Sequence, residues 1–326
     1  MLTDQIILNC LNEKYSIQNA TLTFLPIGAD PNASVYKAET KEASFFVKLK
    51  GGHHHDISID VVEYLHSVGI KQVIIPLKSN QNESSHRIED FTLIVYPFID
   101  GQDGFSRELT DEHWLMLGKT LKQVHDVDIP KMIYDEIRHE AYSPKWREQV
   151  RQLLNSNDSN ASNDEYALKF IHFMKEYASV ISKLLDRAEH LSHTIDIRSP
   201  KVLCHSDIHA GNVLIDKNSM QLYIVDWDEP IIAPKERDLM FIGGGVGNVW
   251  NNPHEEALFY KGYGKTEINN KWVAYYRHER IIEDIALYAH DLLFSTTANK
   301  AQSYQYFMSM FDPKGAVEIA LKMDTN

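Results

Sequence analysis

The sequence predicts an α+β fold in two lobes, a smaller N-terminal lobe on an antiparallel sheet and a larger, mostly helical C-terminal lobe. Short runs rich in β-branched and aromatic residues crowd into the first hundred positions, and helical periodicity takes over after Gly101. Pro97 ends the last of those runs, because proline cannot donate to a sheet ladder. The lobes are therefore placed at 1–98 and 99–326. A chain of 326 residues, 43% hydrophobic and 24% charged, has ordinary globular composition and enough length for two cores.

In chain order, residues 3–15 read as an amphipathic helix with Ile6, Ile7, Cys10 and Leu11 on one face and Thr3 as its cap. Leu22–Ile27 and Val35–Glu39 read as strands around the linker Gly28-Ala-Asp-Pro-Asn-Ala-Ser34, and Ser44–Leu49 as a third. Asp56–Gly69 reads as a helix stopped by its glycine, with Ile57, Val61, Val62 and Leu65 as its buried stripe. Val73–Leu77 and Phe91–Ile99 complete the strands. In the second lobe, Thr110 caps a helix through Trp114, Leu117, Leu121 and Val124. His113 stands where a capping box carries Glu or Gln, so no box is expected. Ser143-Pro144 opens another helix. After the Asn/Ser-rich connector 155–165, Tyr166–Leu191 reads as one long amphipathic helix.

The stretch Val202–Ile215 followed by Leu222–Asp228 carries the chemistry. Val213–Ile215 and Leu222–Val225 flank an Asp-Lys-Asn-Ser turn and read as a hairpin, which brings its two ends together. Asp207, Asn212 and Asp226 are thereby expected to converge. Asp207 is placed to take a proton, and Asn212 with Asp226 to hold magnesium through oxygen. The spacing His-x-Asp-x-x-x-x-Asn followed by strand-Asp is the pattern of a kinase. In that pattern Lys48, at the end of the third strand, pairs the nucleotide phosphates, and the linker closed by Ser34 covers them. A helix acid orients the lysine, and Asp56 is preferred over Asp60 and Glu63. By the same pattern, the backbone from Tyr96 to Phe98 would hydrogen-bond adenine.

Other features have plainer readings. His53–His55 is a solvated turn, since neighbours in an extended chain point different ways. Phe241–Asn248 is glycine-rich but lacks the lysine and Ser/Thr of a Walker loop. Cys204 beside His205 is discounted as a nucleophile, and Asp238 is assigned to bracing the catalytic loop. The formal charge of −13 excludes general nucleic-acid binding and favours cationic small molecules. The two cysteines form no framework, and neither a signal-peptide plan nor an apolar run of about 20 residues is present, so a cytoplasmic protein without membrane contact is expected.

With these residues assembled, the chain resembles the aminoglycoside phosphotransferase family over residues 20–290 or so. The resemblance rests on Leu-Cys-His-Ser-Asp-Ile-His-Ala-Gly-Asn-Val-Leu, Asp-Trp-Asp-Glu-Pro, Ser-Pro-Lys-Trp-Arg-Glu at 143 and Tyr-Tyr-Arg-His-Glu-Arg-Ile at 275. It extends through Ala233-Pro-Lys-Glu-Arg-Asp-Leu-Met-Phe-Ile to the glycine-rich run. The resemblance implies a protein-kinase-like fold, ATP and Mg2+. Lys48 would bind phosphates, Asp207 would deprotonate the acceptor hydroxyl, and Asn212 with Asp226 would hold the metal. His209 stands where protein kinases carry lysine, and Asp replaces the usual Glu on the small-lobe helix.

Within the family, the match is to the branch whose acceptor is a cationic aminocyclitol. Asp228, Glu229 and Asp284, with Glu279 and Glu283, are the candidate acceptor ligands, and a monomer is favoured. The rivals are a kinase for a choline-, homoserine- or sugar-like metabolite and a nucleotide-binding pseudokinase.

Overall fold

A computed structural model of the chain describes residues 2–27, 33–52, 56–156, 164–296 and 298–323. Most of the linker 28–34 and the His53–His55 tract lie outside them. The chain forms two compact units, each made of three separate pieces. The first comprises 1–102, 129–137 and 214–228; the second comprises 103–128, 138–213 and 229–326.

In the first unit, α1 (Asp4–Tyr15) precedes β1 (Thr21–Leu25), β2 (Ala33–Glu39) and β3 (Ser44–Gly51). After α2 (Ile57–Ser67), β4 (Ser85–Ile88) and β5 (Phe91–Pro97) complete an antiparallel sheet of order β1-β2-β3-β5-β4. Alternation along β3 buries Val47 and Leu49 with Ile7, Leu11, Tyr36, Leu93 and Val95, which sends Lys48 to the other face. Thr3 makes no side-chain cap to α1. Val73–Leu77 is not a sheet strand. Val73 makes one parallel bridge to Ile224, and Leu77 donates to the Val95 carbonyl. Pro76, which has no N–H, interrupts any ladder between them.

In the second unit, α3 (Asp111–His125) packs on α9 (Pro253–Tyr263) so closely that a Cβ at Gly118 would lie 2.1 Å from the Phe259 carbonyl oxygen. The capping box excluded above is present. Thr110 Oγ1 accepts from His113 N–H, and His113 Nδ1 accepts from Thr110 N–H at 3.2 Å, so an imidazole nitrogen does the work of a carboxylate. The expected long helix is two, α6 (Glu165–Glu176) and α7 (Ala178–Thr194), interrupted at Tyr177. There the backbone leaves helical geometry while the ring stacks on Phe173 with centroids 4.0 Å apart. Both helices share one core with α10 (Asn270–Leu293), through Phe170, Phe173, Leu184, Ile282 and Ile285.

Two small sheets set the functional loops. One has the order β10-β9-β6, from β6 (Gly101–Asp103), β9 (Val213–Asp216) and β10 (Leu222–Ile224). In the other, β11 (Ile231–Ala233) lies between β7 (Arg138–His139) and β8 (Val202–Cys204). Among the described residues, no helix is long and apolar enough to cross a membrane.

Candidate active site

In the second unit, β8 delivers the chain into His205–Ser206–Asp207. Ser206 adopts φ +75°, a left-handed conformation that a non-glycine residue holds only when its surroundings impose it. Asp238 imposes it. Its fully buried carboxylate accepts His205 N–H at 2.9 Å and Ser206 N–H at 2.7 Å, and lies 3.0 Å from His125 Nε2. His125 Nδ1 is in turn 2.7 Å from the Tyr263 hydroxyl. Ser206 Oγ donates to the Glu229 carbonyl at 2.8 Å. A carboxylate can be buried this deeply because every oxygen has a donor. Cys204 belongs to the same brace. Its thiol faces the Ala233 and Pro234 carbonyls, and burial pushes its pKa up, so it is not a nucleophile.

Asp207 is held by its two oxygens. Arg280 Nη1 bonds Oδ1, and His209 Nε2 lies 3.5 Å from Oδ2. The His209 tautomer follows from its other nitrogen. Nδ1 accepts Gly211 N–H at 3.0 Å, so the neutral ring carries its proton on Nε2, toward Asp207. The ring stacks on Phe105. Burial alone would raise the Asp207 pKa, but Arg280, with His209 and His205, outweighs it and holds the carboxyl far below the usual range. Arg280 Nε is also 2.9 Å from Asp284 Oδ1, one turn further along α10. Burial lifts the Asp284 pKa to about 6 against the pull of Arg280. Asn212 Nδ2 donates to the Asp207 carbonyl at 2.8 Å, which leaves its amide oxygen as the acceptor end.

The first unit holds a different cluster. Lys48 Nζ lies 2.5 Å from Asp228 Oδ2 and 3.6 Å from Asp226 Oδ1. Lys50 Nζ lies 2.6 Å from Asp56 Oδ2 and 3.6 Å from Asp228 Oδ1. Asp226 follows β10 at φ +61°, and the Trp227 indole N–H, bonded to the Ile224 carbonyl at 3.0 Å, fixes the turn. Tyr96, on β5 opposite Phe46, is half-buried, and burial together with the charges of Asp228, Asp56 and Asp226 raises its phenol pKa. Ser34 sits on β2 opposite Leu49.

Three expectations need correction. Asp56 does not partner Lys48. It caps α2 through Ser58 N–H and pairs with Lys50, because the cap fixes its backbone at the helix start. Phe98 N–H does not face a purine, since it donates to the Ser44 carbonyl at 3.2 Å. The acids expected on the acceptor are largely engaged elsewhere. Asp228 belongs to the lysine cluster, and Glu229, 72% exposed, is 2.9 Å from Arg138 Nη1. Asp284 holds Arg280, and Glu279 is buried against Arg147, with its pKa lifted to about 7 by burial against the arginine's pull.

The second unit thus brings together Asp207, Asn212 and Asp284, and the first brings together Lys48, Asp56, Tyr96, Asp226 and Asp228. Sequence reasoning missed Arg280, Lys50 and His125. The i,i+4 pair Arg280/Asp284 was visible as a helical motif, but nothing in the sequence tied it to Asp207.

Residues 23–264 match the phosphotransferase enzyme family. Protein StrN of Streptomyces griseus is 23% identical over 245 residues, covering 74% of this chain and 75% of StrN. The crystal structure of the spectinomycin phosphotransferase APH(9)-Ia with ADP and spectinomycin superimposes with a TM-score of 0.94 at 44% identity, over 100% of this chain and 99% of that one. The AMP-bound complex of APH(9)-Ia gives 0.91 at 43%, over 98% and 99%. The α+β, protein-kinase-like fold expected from the sequence is the fold of these structures.

Proposed function

Since the chain belongs to the phosphotransferase enzyme family, we propose that it transfers the γ-phosphoryl group of ATP to a hydroxyl of spectinomycin. The observation that carries this reading is the likeness to spectinomycin phosphotransferase along the whole chain, at an identity well above that of a shared fold alone. In the transfer, the acceptor oxygen forms a bond to the γ-phosphorus, the bond from that phosphorus to the β,γ-bridging oxygen breaks, and ADP leaves. Asp207 orients the hydroxyl and takes its proton. Its low pKa keeps it ionised at neutral pH, and a phosphoryl transfer with a loose transition state asks little of the base beyond position.

Lys48 is assigned to the nucleotide phosphates, with Ser34, Asp56, Tyr96 and Phe98 on the nucleotide side. Asp56 would act there only through Lys50, and Phe98 through something other than its N–H. The donor types at Asn212 and Asp226, an amide oxygen and a carboxylate, suit magnesium, which prefers oxygen ligands. Bound there with nucleotide, the ion would neutralise phosphate charge. Asp228, Glu229 and Asp284 stay candidates for the acceptor side, now as partners of basic side chains rather than as bare charges. The reading treats the chain as a cytoplasmic monomer, acting where ATP is present.

ATP turnover measured with magnesium, with and without spectinomycin, tests the reading. Spectinomycin-stimulated ADP release with phosphorylated spectinomycin as product supports it. Greater turnover on choline or homoserine would replace it with a metabolite kinase, and no turnover on any acceptor with a pseudokinase.

A further inference from the structure

Three observations in the second unit single out Arg280. Its guanidinium bonds Oδ1 of Asp207 while its Nε stays on Asp284 at 2.9 Å, and its charge lies over the Phe241 ring at 5.6 Å. The loop that carries Asp207 has its backbone fixed elsewhere, by Asp238 on His205 and Ser206 N–H and by Asn212 on the Asp207 carbonyl. Arg280 is therefore not needed to hold the loop; its hydrogen bond falls on the carboxylate itself. The neighbouring face of α10 follows the same rule, with Glu279 held by the buried Arg147. On this helix, Glu279 and Asp284, two of the acids considered for a cationic ligand, are each matched to an arginine.

A bare carboxylate faced with a molecule that carries both ammonium and hydroxyl groups binds the ammonium, because a charge-assisted pair outcompetes a charge-to-neutral hydrogen bond. For a base that must receive a hydroxyl, such binding is unproductive. We propose that Arg280, anchored by Asp284, is a positioning and selectivity residue. By occupying Oδ1 of Asp207 and cancelling its charge, it makes a cationic acceptor present its hydroxyl rather than its ammonium to the base. Asp284 keeps the guanidinium in place when Asp207 takes up a proton, so that arginine is never left without a carboxylate. The proposal deepens the reading above and rests on it for Asp207 as the base and for the cationic acceptor.

The test is Arg280→Gln in the full chain, with spectinomycin and magnesium-ATP. The expected result is a fall in kcat of tenfold or more, a spectinomycin KM that is unchanged or lower, and an unchanged KM for ATP. In addition, 1,4-diaminobutane, which offers two ammonium groups and no hydroxyl, should inhibit the variant competitively against spectinomycin at concentrations inert toward the parent. Arg280→Lys, which keeps the charge, should restore most of kcat and the resistance to the diamine. If Arg280→Gln unfolds, the double variant Arg280→Gln/Asp284→Asn removes the stranded acid and is read the same way. A raised spectinomycin KM with no diamine inhibition would overturn the proposal, since it would mean that Arg280 contacts the acceptor directly. Failure of the underlying reading looks different: Asp207→Asn would then keep the parent's turnover, whatever Arg280 does.

Discussion

The two clusters of charge in this chain are built on opposite plans. Around Asp207 the cation is an arginine, the supporting acid Asp238 is fully buried, and backbone N–H groups take up its oxygens. Around Lys48 the cations are lysines on one strand, their acids belong to a helix cap and a strand end, and Asp226 is 48% exposed. Arginine offers a rigid fork of donors with a fixed geometry, whereas lysine is a point charge on a flexible stem that changes partners at little cost. The first plan suits a group that must not move. The second suits groups that exchange one set of anions for another, as Lys48 would under the proposed function in giving up Asp228 for a phosphate.

The comparison can be broken at Asp207 first. Asp207→Asn keeps the shape and removes the proton acceptor, so kcat should fall by roughly 10²–10⁴ while nucleotide affinity, measured by titration, stays near the parent value. Next comes the brace. Asp238→Ala strands two buried N–H groups and His125, and denaturant unfolding should register a loss of about 3–5 kcal/mol, with turnover falling in the fraction that stays folded. An Asp238 variant as stable as the parent would show that the buried plan is not structural.

A smaller effect separates the two lysines. Asp228→Asn removes a partner from both Lys48 and Lys50, whereas Asp56→Asn touches only Lys50 and the α2 cap. Steady-state kinetics should show the KM for ATP shifting several-fold in the first variant. The second should show little change in kinetics or in stability, because asparagine caps a helix as well as aspartate does. Equal kinetic effects would erase the distinction.

The smallest effect is in pH. Burial raises Glu279 from its ordinary 4.5 to about 7 and Asp284 from 3.8 to about 6. Between those values the folded chain holds protons that the unfolded chain has released, so their contribution to stability is lost as pH rises through about 4 to 7. Asp207, held low, acts in the opposite sense, and only as pH falls below its ordinary 3.8. Thermal midpoints at pH 5.5 and 7.5 should differ less in Glu279→Gln than in the parent, by a few degrees at most. An unchanged pH slope in that variant would mean that Glu279 is ionised throughout.

The sequence made the fold class readable because its signals were local: period-two runs before Pro97, period 3.6 after Gly101, and a hairpin between Val213 and Ile224. Local rules failed where a side chain did something its type seldom does. His113 completes a capping box, Tyr177 interrupts a helix with unbroken apolar periodicity, and Pro76 spoils an otherwise apolar strand. For the candidate site, the spacing of Asp207 and Asn212 was legible because both sit in one short loop. The ion pairs were not. Arg280 meets Asp207 across 73 positions and Lys48 meets Asp228 across 180, and charge alone does not choose among 46 acids. Asp56 was preferred for Lys48 among three acids that the sequence could not separate, and its place as the α2 cap pairs it with Lys50 instead.

The division of each unit into three pieces has a consequence for synthesis. A growing chain completes the five-stranded sheet by Pro97, yet β6 waits for β9, more than a hundred residues later, and Lys48 waits until Asp226 and Asp228 have emerged. Until then Lys50 has Asp56, but Lys48 lacks its acids and the edge at Gly101–Asp103 is unfinished, both open to whatever anion or strand is at hand. Slow decoding between residues 102 and 228 would lengthen that exposure.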